Sequence, residues 1–475
     1  MTSAGTPAGT PAQQFAAFAA RTAAEGAPDA LRDDLVARTA DLLGNCLAAR
    51  DAEPARVTAA VVAEWGGTPA ATSLADGRRL PAPSAALVNG TLAHSLDFDD
   101  THLPSVLHPS AAVLPAALAA AEAVGASGTA YLDAAAVGVE LTCRLGMAGY
   151  DEELGNSVFF EHGQHATAIC GAVGAAVAVG MLRGLDAEGL TSAIGIAAST
   201  GAGIIEANRT GGTVKRVHCG WAAHAGVAAA DLARHGLTGP PTVLEGRFGF
   251  LRAFCGERTH VERVTDDLGE HWETLRVFTK PYPCNHFTHA GIDAALRMRS
   301  DGITAERVVE LTLGAPAPVL RTIAEPAEEK AAPRSGYHAA FSGPYTVAAA
   351  LLGGGGLGLS HDDFTDTAAA DPARLALAGR VRCVADDEST AIFPHQFPAV
   401  LTARLDSGES VTERIVANRG GPDRPLGDDE VAEKFRTNAV RSVSEQDVPA
   451  VVDAVRELRG GRRVTDLMRR TGALL

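Results

Sequence analysis

The sequence from residue 166 to residue 182 reads ATAICGAVGAAVAVGML and contains no charged side chain. It is the most membrane-like segment of the chain, but a membrane span needs about 20 mostly apolar residues. This segment is shorter than that. It is also rich in Ala and Gly, whose small side chains let neighbouring helices approach closely. We therefore predict a helix buried in the core of a helical domain rather than a membrane span.

Composition extends this prediction to the rest of the chain. With 475 residues, 46% of them hydrophobic and 21% charged, the chain has the make-up of a globular protein of two or three domains. Only 5% of the residues are aromatic, so the core must be built from Ala, Leu and Val. The net charge of −16 argues against nucleic acid or an anionic membrane as a partner. An anionic substrate would therefore need cations at its binding site.

Helical patterns broken by Gly and Pro surround the opening segment. Residues 1 to about 13 are rich in Thr, Pro, Gly and Ala and predict a disordered tail. No comparable strand alternation is found before about residue 275. Helices are predicted for residues 33–49, 84–95, 111–124, 130–147 and 222–234.

The pattern changes after about residue 275. Asp406-Ser407-Gly408 is a hairpin signal between two segments rich in β-branched residues. A helix is predicted near residues 344–352, and charged helical patterns return after residue 422. Strands are predicted for residues 308–313, 380–385, 400–405 and 411–416. The predicted fold class is mainly α, with a large all-helical domain built from both ends of the chain (residues 14–275 and 423–475) and a smaller inserted α+β domain (residues 276–422).

The seven cysteines indicate a reduced protein, because their number is odd and no pair has CxxC spacing. No apolar secretory segment follows a basic start, so we expect a cytoplasmic location. Neither a zinc ribbon nor an iron–sulfur cluster is predicted. The glycines at 353–358 match a dinucleotide pattern, but a helical pattern and not a strand precedes them. We therefore predict no cofactor.

Lysine is rare in this chain. Only four of the 41 basic residues are lysines, because arginine replaces lysine nearly everywhere else. A retained lysine can mark a place where a compact ammonium group is needed. Lys330 follows two glutamates and Lys434 lies in a charged helical pattern, so both are expected on the solvated surface. Lys215 and Lys280 lie among glycines, histidines and apolar residues and are functional candidates.

Acidic residues and histidines are concentrated between residues 94 and 110, which read HSLDFDDTHLPSVLHPS. Asp, Thr and Ser commonly cap helices, so an isolated pair would indicate only a helix end. This density of carboxylates and imidazoles between apolar helices instead favours groups suited to proton transfer. A metal site is not predicted, because Asp and His are common in loops that bind no metal.

Two further segments carry polar groups beside predicted helices. Residues 162–167 (HGQHAT) open the helix at 166–182, and the helix dipole favours a neutral His165 that accepts a proton. A capping or packing role for this histidine is equally consistent with the sequence. Residues 210–220 (TGGTVKRVHCG) put Lys215 and Arg216 beside glycines. This resembles an anion cradle, although the P-loop spacing is absent.

The fourth polar segment, residues 280–289 (KPYPCNHFTH), lies at the predicted domain junction. Domain junctions commonly form clefts, and the prolines fix the backbone beside Lys280. A catalytic thiolate at Cys284 is conceivable. Most single cysteines are inert packing residues, however.

Taken in this order, the four segments resemble the MmgE/PrpD family, which includes 2-methylcitrate dehydratase, cis-aconitate decarboxylase and iminodisuccinate epimerase. The resemblance runs from about residue 30 to 470 and includes Asn89-Gly90 and the segment FSGPY at 341–345. It implies a helical domain, a smaller α+β lid, a site in the cleft between them and a homodimer. It also implies a cofactor-independent reaction of a small polycarboxylate.

Matching the family motifs residue by residue implies a set of site residues. The two lysines would clamp carboxylates, two histidines would act as base and acid in either order, and an aspartate would orient a histidine. The implied catalytic residues are Asp97, His108, His165, Lys215 and Lys280. The implied substrate-binding residues are Thr101 and Tyr345. His102 and His286, which lie in the same polar segments, are also predicted to bind substrate.

Two departures from the decarboxylase branch bear on the reaction. The gap between Thr101 and His108 is one residue longer here, and Asn285 stands where that branch has a histidine. We therefore predict first a dehydratase that removes water from a 2- or 3-hydroxy polycarboxylate resembling 2-methylcitrate. An epimerase or isomerase of a dicarboxylate such as iminodisuccinate is the second prediction, and a cis-aconitate-type decarboxylase the third. A homologue that binds polycarboxylates without turning them over is the non-enzymatic alternative.

Overall fold

The computed structural model describes residues 9–207 and 212–475. It is mainly helical, as predicted, with small sheets. The chain divides into two compact units, the first comprising Met1–Val277 and Asn438–Leu475 and the second Phe278–Thr437. That the second unit acts as a lid stays a prediction. No helix among the described residues is long and apolar enough to cross a membrane.

The first unit is built almost entirely of helices, numbered here along the whole chain. Its α-helices are α1 (Pro11–Glu25), α2 (Asp29–Ala48), α3 (Glu53–Trp65), α4 (Ala82–His94), α5 (Pro109–Val124), α6 (Gly128–Ala148), α7 (Val158–Glu161), α8 (Ala166–Leu182), α9 (Ala187–Thr200), α10 (His218–Arg234), α11 (Phe250–Cys255), α21 (Val448–Arg456) and α22 (Val464–Gly472). Its 3-10 helices are Val214–Val217, Val261–Val264, Glu273–Arg276 and Glu457–Gly460.

Helix α8 lies at the centre of the first unit and has the bounds predicted from its uncharged sequence. It packs against α5, α6, α9 and α10. An added Cβ at Gly174 would lie 2.2 Å from the carbonyl oxygen of Gly138 in α6. Gly226 of α10 approaches Ala175 in the same way, with an added Cβ 2.4 Å from the Ala175 Cβ. The glycines are required because larger residues would force these helices apart.

Two local features of the first unit differ from prediction. Helix α1 begins at Pro11, capped by the Thr10 side chain, so residues 11–13 do not belong to a disordered tail; residues 1–8 of that tail lie outside the described residues. Two antiparallel pairs of very short strands were not predicted, because two residues are too few to produce an alternating pattern. These strands are β1 (Ala71–Thr72), β2 (Arg79–Leu80), β3 (Tyr150–Asp151) and β4 (Asn156–Ser157).

The second unit contains a four-stranded sheet. Its strands are β5 (Val308–Ala315), β6 (Val381–Ala385), β7 (Ala399–Leu405) and β8 (Ser410–Ile415), in the order β6-β5-β7-β8. Only the β5–β6 pair is parallel. All four strands were predicted, and the hairpin between β7 and β8 turns at Asp406–Gly408, where Gly408 has a φ of 86°. The sheet therefore confirms the predicted strands and their turn.

Helices cover this sheet and enclose the second core. Helix α12 packs on β7 and β8, and α16 packs on α12 and β6. The α-helices are α12 (His289–Ser300), α13 (Leu320–Ile323), α14 (Ala327–Ala331), α15 (Gly336–Ala339), α16 (Gly343–Leu352), α17 (Asp366–Ala369), α18 (Pro372–Ala378), α19 (Asp387–Ile392) and α20 (Asp428–Ala439). The 3-10 helices are His286–Thr288, Ala305–Arg307, Ala317–Val319 and His361–Phe364.

Two lysines that were expected on the solvated surface are not there, so that prediction is wrong. The Lys330 Nζ donates hydrogen bonds to the carbonyl oxygens of Thr322, at 2.6 Å, and Phe341, at 2.8 Å. The Lys434 side chain is buried. Neighbouring charges in the sequence suggested exposure. For Lys330, however, the flanking glutamates reach solvent while the lysine turns inward to backbone carbonyls.

Candidate active site

Helices α4 and α10 meet at two glycines, and this contact brings two histidines together. An added Cβ at Gly90 would lie 2.8 Å from the Cα of Gly220, so the two backbones touch without intervening side chains. His94 ends α4 about one turn after Gly90, and His218 begins α10 just before Gly220. The close helix crossing therefore fixes where the two imidazoles lie.

Four imidazole rings form a row, called here the imidazole cluster, in the order His108, His94, His165 and His218. Neighbouring ring centroids are 5.3, 5.5 and 5.1 Å apart along this row. Three of the four histidines stand at helix starts: His108 at α5, His165 at α8 and His218 at α10. Helix N-termini carry partial positive charge and unpaired backbone N–H groups. The three helix starts thus contribute groups that favour an anionic ligand.

His108 is held in one tautomer. Its Nδ1 lies 2.6 Å from the carbonyl oxygen of Asp100 and 3.3 Å from the Thr101 hydroxyl. A carbonyl oxygen only accepts hydrogen bonds, so the Nδ1 must carry the hydrogen. In the neutral ring, the Nε2 then carries the lone pair. This geometry prepares the Nε2 of His108 to accept a proton.

Asp100 orients His108 through its backbone carbonyl, and its side-chain carboxylate is itself held in place by hydrogen bonds. Its carboxylate accepts a hydrogen bond from Arg38 at 3.0 Å and further bonds from the backbone N–H and hydroxyl of Ser110. Burial raises the pKa of Asp100 to about 6, although the charge of Arg38 opposes this shift. Arg38 also donates to Asp34 and to the carbonyl oxygen of Val277. The carbonyl that orients His108 thus belongs to a residue anchored in a buried ionic network.

His94 forms a second oriented pair. Its Nδ1 lies 2.7 Å from a carboxylate oxygen of Asp99, and both side chains are buried. Cys219 lies close to this pair. One imidazole nitrogen of His94, one carboxylate oxygen of Asp99 and the Sγ of Cys219 all lie within 4.8 Å of one another. The direct hydrogen bond accounts for the proximity of His94 and Asp99. Burial raises the pKa of the Cys219 thiol well above its usual value, so the thiol is protonated near neutral pH. We assign no metal to these residues.

His165 and His218 share a hydrogen bond between their Nδ1 atoms, 3.0 Å apart. Burial, followed by the charge of Lys215, lowers the pKa of His165 well below its usual value. Burial, followed by the effects of His94 and Lys215, lowers the pKa of His218 to about 4. Both rings are therefore neutral near pH 7. Exactly one of the two Nδ1 atoms carries the shared hydrogen.

The other predicted residues of the first unit are placed as follows. Lys215 lies in the 3-10 helix before α10 and is half-buried, with its charge acting on both neutral histidines. Asp97 has a φ of 54°, in the left-handed region that Asp tolerates, and its charge contributes to the raised pKa of Cys219. Thr210 and Gly211 of the predicted anion cradle lie outside the described residues.

His102 is not part of the imidazole cluster. Its ring is fully buried, with Nδ1 2.6 Å from the Ser105 hydroxyl and Nε2 2.9 Å from Glu273. Although burial opposes the shift, the bond from His102 helps to lower the pKa of Glu273 to about 2. Both ring nitrogens are thus occupied by protein groups. Direct substrate binding by His102 would require one of these bonds to break.

Three predicted residues belong to the second unit. Lys280 is 1% exposed and His286 is also buried. The Tyr345 hydroxyl donates to the carbonyl oxygen of Asp363 at 2.7 Å and accepts from Arg374 at 3.0 Å. A substrate contact by Tyr345 would have to replace one of these bonds. The predicted roles of these three residues stay predictions.

The sequence reasoning did not assign His94, Asp99 and His218 to the site. His94 and Asp99 lie inside the acidic segment that was singled out, and His218 lies three residues after Lys215. A signal was therefore present, since each is adjacent to a chosen residue. Their importance follows only from the crossing of α4 with α10, which no local pattern reveals.

The chain matches known proteins over most of its length. The family model of the MmgE/PrpD N-terminal domain matches residues 13–262, and that of the C-terminal domain matches residues 282–458. Human cis-aconitate decarboxylase is 31% identical over 384 residues, which are 80% of this chain and 77% of the relative. The cis-aconitate decarboxylase-like protein oryM of Aspergillus oryzae is 29% identical over 410 residues, 82% of either chain. The cis-aconitate decarboxylase of Aspergillus terreus is 34% identical over 229 residues, 46% of either chain.

These relatives are lyases, and the two domain models together span most of the chain, including every residue of the imidazole cluster. The chain belongs to the MmgE/PrpD family.

Proposed function

We propose that the chain is a cofactor-independent lyase that dehydrates a small hydroxy polycarboxylate resembling 2-methylcitrate. In this reaction a proton leaves the carbon next to a carboxylate and a neighbouring hydroxyl leaves as water. The observation that carries the proposal is the tautomer of His108. Its Nδ1 donates to the Asp100 carbonyl, so its Nε2 is a ready proton acceptor among groups that favour anions.

The proposed steps use two histidines. The Nε2 of His108 accepts the proton as the C–H bond breaks, and the electron pair of that bond forms the new double bond. The C–O bond of the hydroxyl breaks, and its electron pair goes to oxygen. His165 supplies the proton that turns the leaving hydroxyl into water. Burial lowers the pKa of His165 and keeps its ring neutral, so giving up the Nε2 proton requires that its Nδ1 accept a replacement proton.

Charge stabilisation is the other requirement. Removing a proton beside a carboxylate builds a dianionic enediolate, which needs cations or oriented N–H groups. Lys215 is proposed to bind one carboxylate, assisted by the helix starts of α5, α8 and α10. Each such contact could lower the barrier by roughly 2–4 kcal/mol where water is excluded. The family resemblance implies a second cation at Lys280.

Decarboxylation is the second candidate, because relatives over most of the chain are named cis-aconitate decarboxylases. The same histidines would then deliver a proton to carbon after carbon dioxide leaves. Asn285 stands where the decarboxylase branch has a histidine, which favours dehydration. Epimerisation, by proton removal from one face and return to the other, would use the same base.

Proton NMR of the purified protein in D₂O tests these reactions together. The panel would contain 2-methylcitrate, citrate, cis-aconitate and an iminodisuccinate. A new olefinic signal from a hydroxy acid supports dehydration and names the substrate. Release of carbon dioxide from cis-aconitate would replace dehydration by decarboxylation, and deuterium exchange without an olefin would replace it by epimerisation. No reaction or exchange with any compound would leave a binding role.

A further inference from the structure

The hydrogen bond between His165 and His218 joins a predicted site residue to one that no motif assigned. The two Nδ1 atoms are 3.0 Å apart, and the rings lie at the starts of α8 and α10. His165 is buried, whereas His218 is half-buried. The pair therefore reaches from the buried cluster towards solvent.

We propose that His218 is a proton-transfer residue, and that the two imidazoles conduct a proton between the Nε2 of His165 and solvent at the Nε2 of His218. This inference rests on the proposed function, because it supplies the proton that His165 gives to the leaving group. An imidazole bonded through one nitrogen can pass a proton by accepting at that atom and releasing from the other. Two such rings joined through Nδ1 make a continuous path.

The transfer balances without a charged intermediate. His218 begins with hydrogen on Nδ1 and His165 with hydrogen on Nε2. As His165 releases its Nε2 proton to the leaving hydroxyl, it accepts the Nδ1 proton of His218, and a proton from solvent binds the Nε2 of His218. Both rings end as neutral imidazoles with exchanged tautomers. The proton that His108 took from carbon then passes to the Nε2 of His165 and leaves by the same path in reverse, so that His218 releases a proton to solvent and all three rings return to their starting states.

The surroundings favour such a neutral path over an imidazolium. His94 and Lys215 act on both rings, and His108 also acts on His165. Every one of these neighbours disfavours an added positive charge, as does burial. A stepwise path through a cation would oppose this environment, whereas tautomer exchange avoids it.

The first test needs no substrate. Proton–nitrogen correlation NMR of the wild-type histidine rings reports which nitrogen carries hydrogen. The proposal expects opposite tautomers in His165 and His218, or fast exchange between them. If both rings carry hydrogen only on Nε2, no path exists and the proposal is overturned. This result stands whether or not the protein dehydrates any member of the substrate panel, so the two failures are distinguishable.

The second test uses turnover of the substrate found in the panel. His218→Asn keeps a hydrogen-bonding partner for His165 but cannot conduct a proton. We expect kcat to fall at least about 100-fold with KM within about threefold. The kcat of the His218→Ala variant should fall by a similar factor, and added imidazole should restore it in part. A His218→Asn variant with kcat within threefold of wild type overturns the proposal.

His224→Ala is the matched control. His224 lies on the same helix, stacked on Trp221 and 3.1 Å from the Pro83 carbonyl oxygen, outside the imidazole cluster. Its kcat should stay near wild type and should not respond to imidazole. An equal response to imidazole in both alanine variants would mean that the rescue is not specific to His218, which contradicts the proposal.

Discussion

The Nδ1 of His108 lies 2.6 Å from the backbone carbonyl oxygen of Asp100, while the carboxylate of the same Asp100 pairs with Arg38. One residue therefore orients the proposed base through its backbone and is anchored through its side chain. This arrangement sets the tautomer of His108 through a backbone carbonyl. The reacting atom is then the Nε2, on the opposite side of the imidazole.

Replacing His108 by Gln should remove the base while leaving the fold intact. We expect kcat to fall about 10³-fold, within the usual range for loss of a general base, and deuterium exchange at the substrate carbon to disappear. His102→Gln is the contrasting variant. Both nitrogens of His102 are bonded to protein groups, so the His102→Gln variant should lose stability. Its free energy of unfolding should fall clearly, whereas its kcat should change much less than that of His108→Gln. A His108→Gln variant that retains exchange would exclude His108 as the base.

Replacing Lys215 by Met should change both rate and pH dependence. The lost carboxylate contact should lower kcat/KM by about 10² or more. The charge of Lys215 lowers the pKa of His165 and of His218, so its removal should raise both. Neutral histidines are required, and activity is lost as pH falls through their pKa. The acid limb of the pH–rate profile should therefore move to higher pH.

The control for this shift is Arg234→Met, which removes a positive charge from the last turn of α10. Its profile of kcat/KM against pH should match that of wild type. Should the acid limb of Lys215→Met also stay unmoved, Lys215 would not be the cation that acts on these histidines.

Lys280, which is buried, and Lys330, which is half-buried, should respond in opposite ways to alanine substitution. Lys280→Ala should nearly abolish turnover while the thermal midpoint changes little. Lys330→Ala should leave kcat within about threefold but lower the free energy of unfolding by about 1–3 kcal/mol, because the carbonyls of Thr322 and Phe341 lose their donor. Turnover assays and thermal unfolding of both variants distinguish a loss of activity from a loss of stability. Normal turnover in Lys280→Ala would remove it from the site.

A helix, strand or turn of this fold was predictable where a pattern in its own residues marks it. Helix α8 carries no charge between His165 and Arg183, so its limits are visible in the sequence. The turn residues Asp406–Gly408 predict the β7–β8 hairpin. The two-residue strands β1 to β4 leave no pattern. Local signals thus determine long elements and turns but not short pairings.

The site was predictable only in part, for a different reason. His108, His165 and Lys215 lie in motifs that stand out alone, whereas His94 and His218 meet because Gly90 and Gly220 let two distant helices touch. Such a contact depends on packing between segments far apart in the chain, which periodicity does not record. Lys330 shows the opposite error: its charged sequence neighbours suggested exposure, and tertiary contacts overrode them.

Arg38→Met should destabilise the first unit in a pH-dependent way. Arg38 is 4% exposed and its charge lowers the pKa of the Asp100 carboxyl, which burial nevertheless raises to about 6. Without Arg38 the pKa should rise further. A carboxyl whose pKa is raised on folding adds stability at low pH that is lost as pH rises through the folded-state pKa. The contribution of Asp100 to the cost should therefore be small at pH 5 and reach about 3 kcal/mol at pH 8, in addition to a loss at both pH values from the broken bonds to Asp34 and the Val277 carbonyl.

Urea unfolding followed by circular dichroism at both pH values measures this difference. Arg32→Met provides the comparison, since Arg32 makes a bidentate pair with Asp133 that retains some exposure to solvent. Its cost should be smaller and nearly equal at the two pH values. Because Asp100 also orients His108, Arg38→Met should lower kcat even where the protein stays folded, whereas Arg32→Met should not. An equal pH response in the two variants would contradict a special role for the Arg38–Asp100 pair.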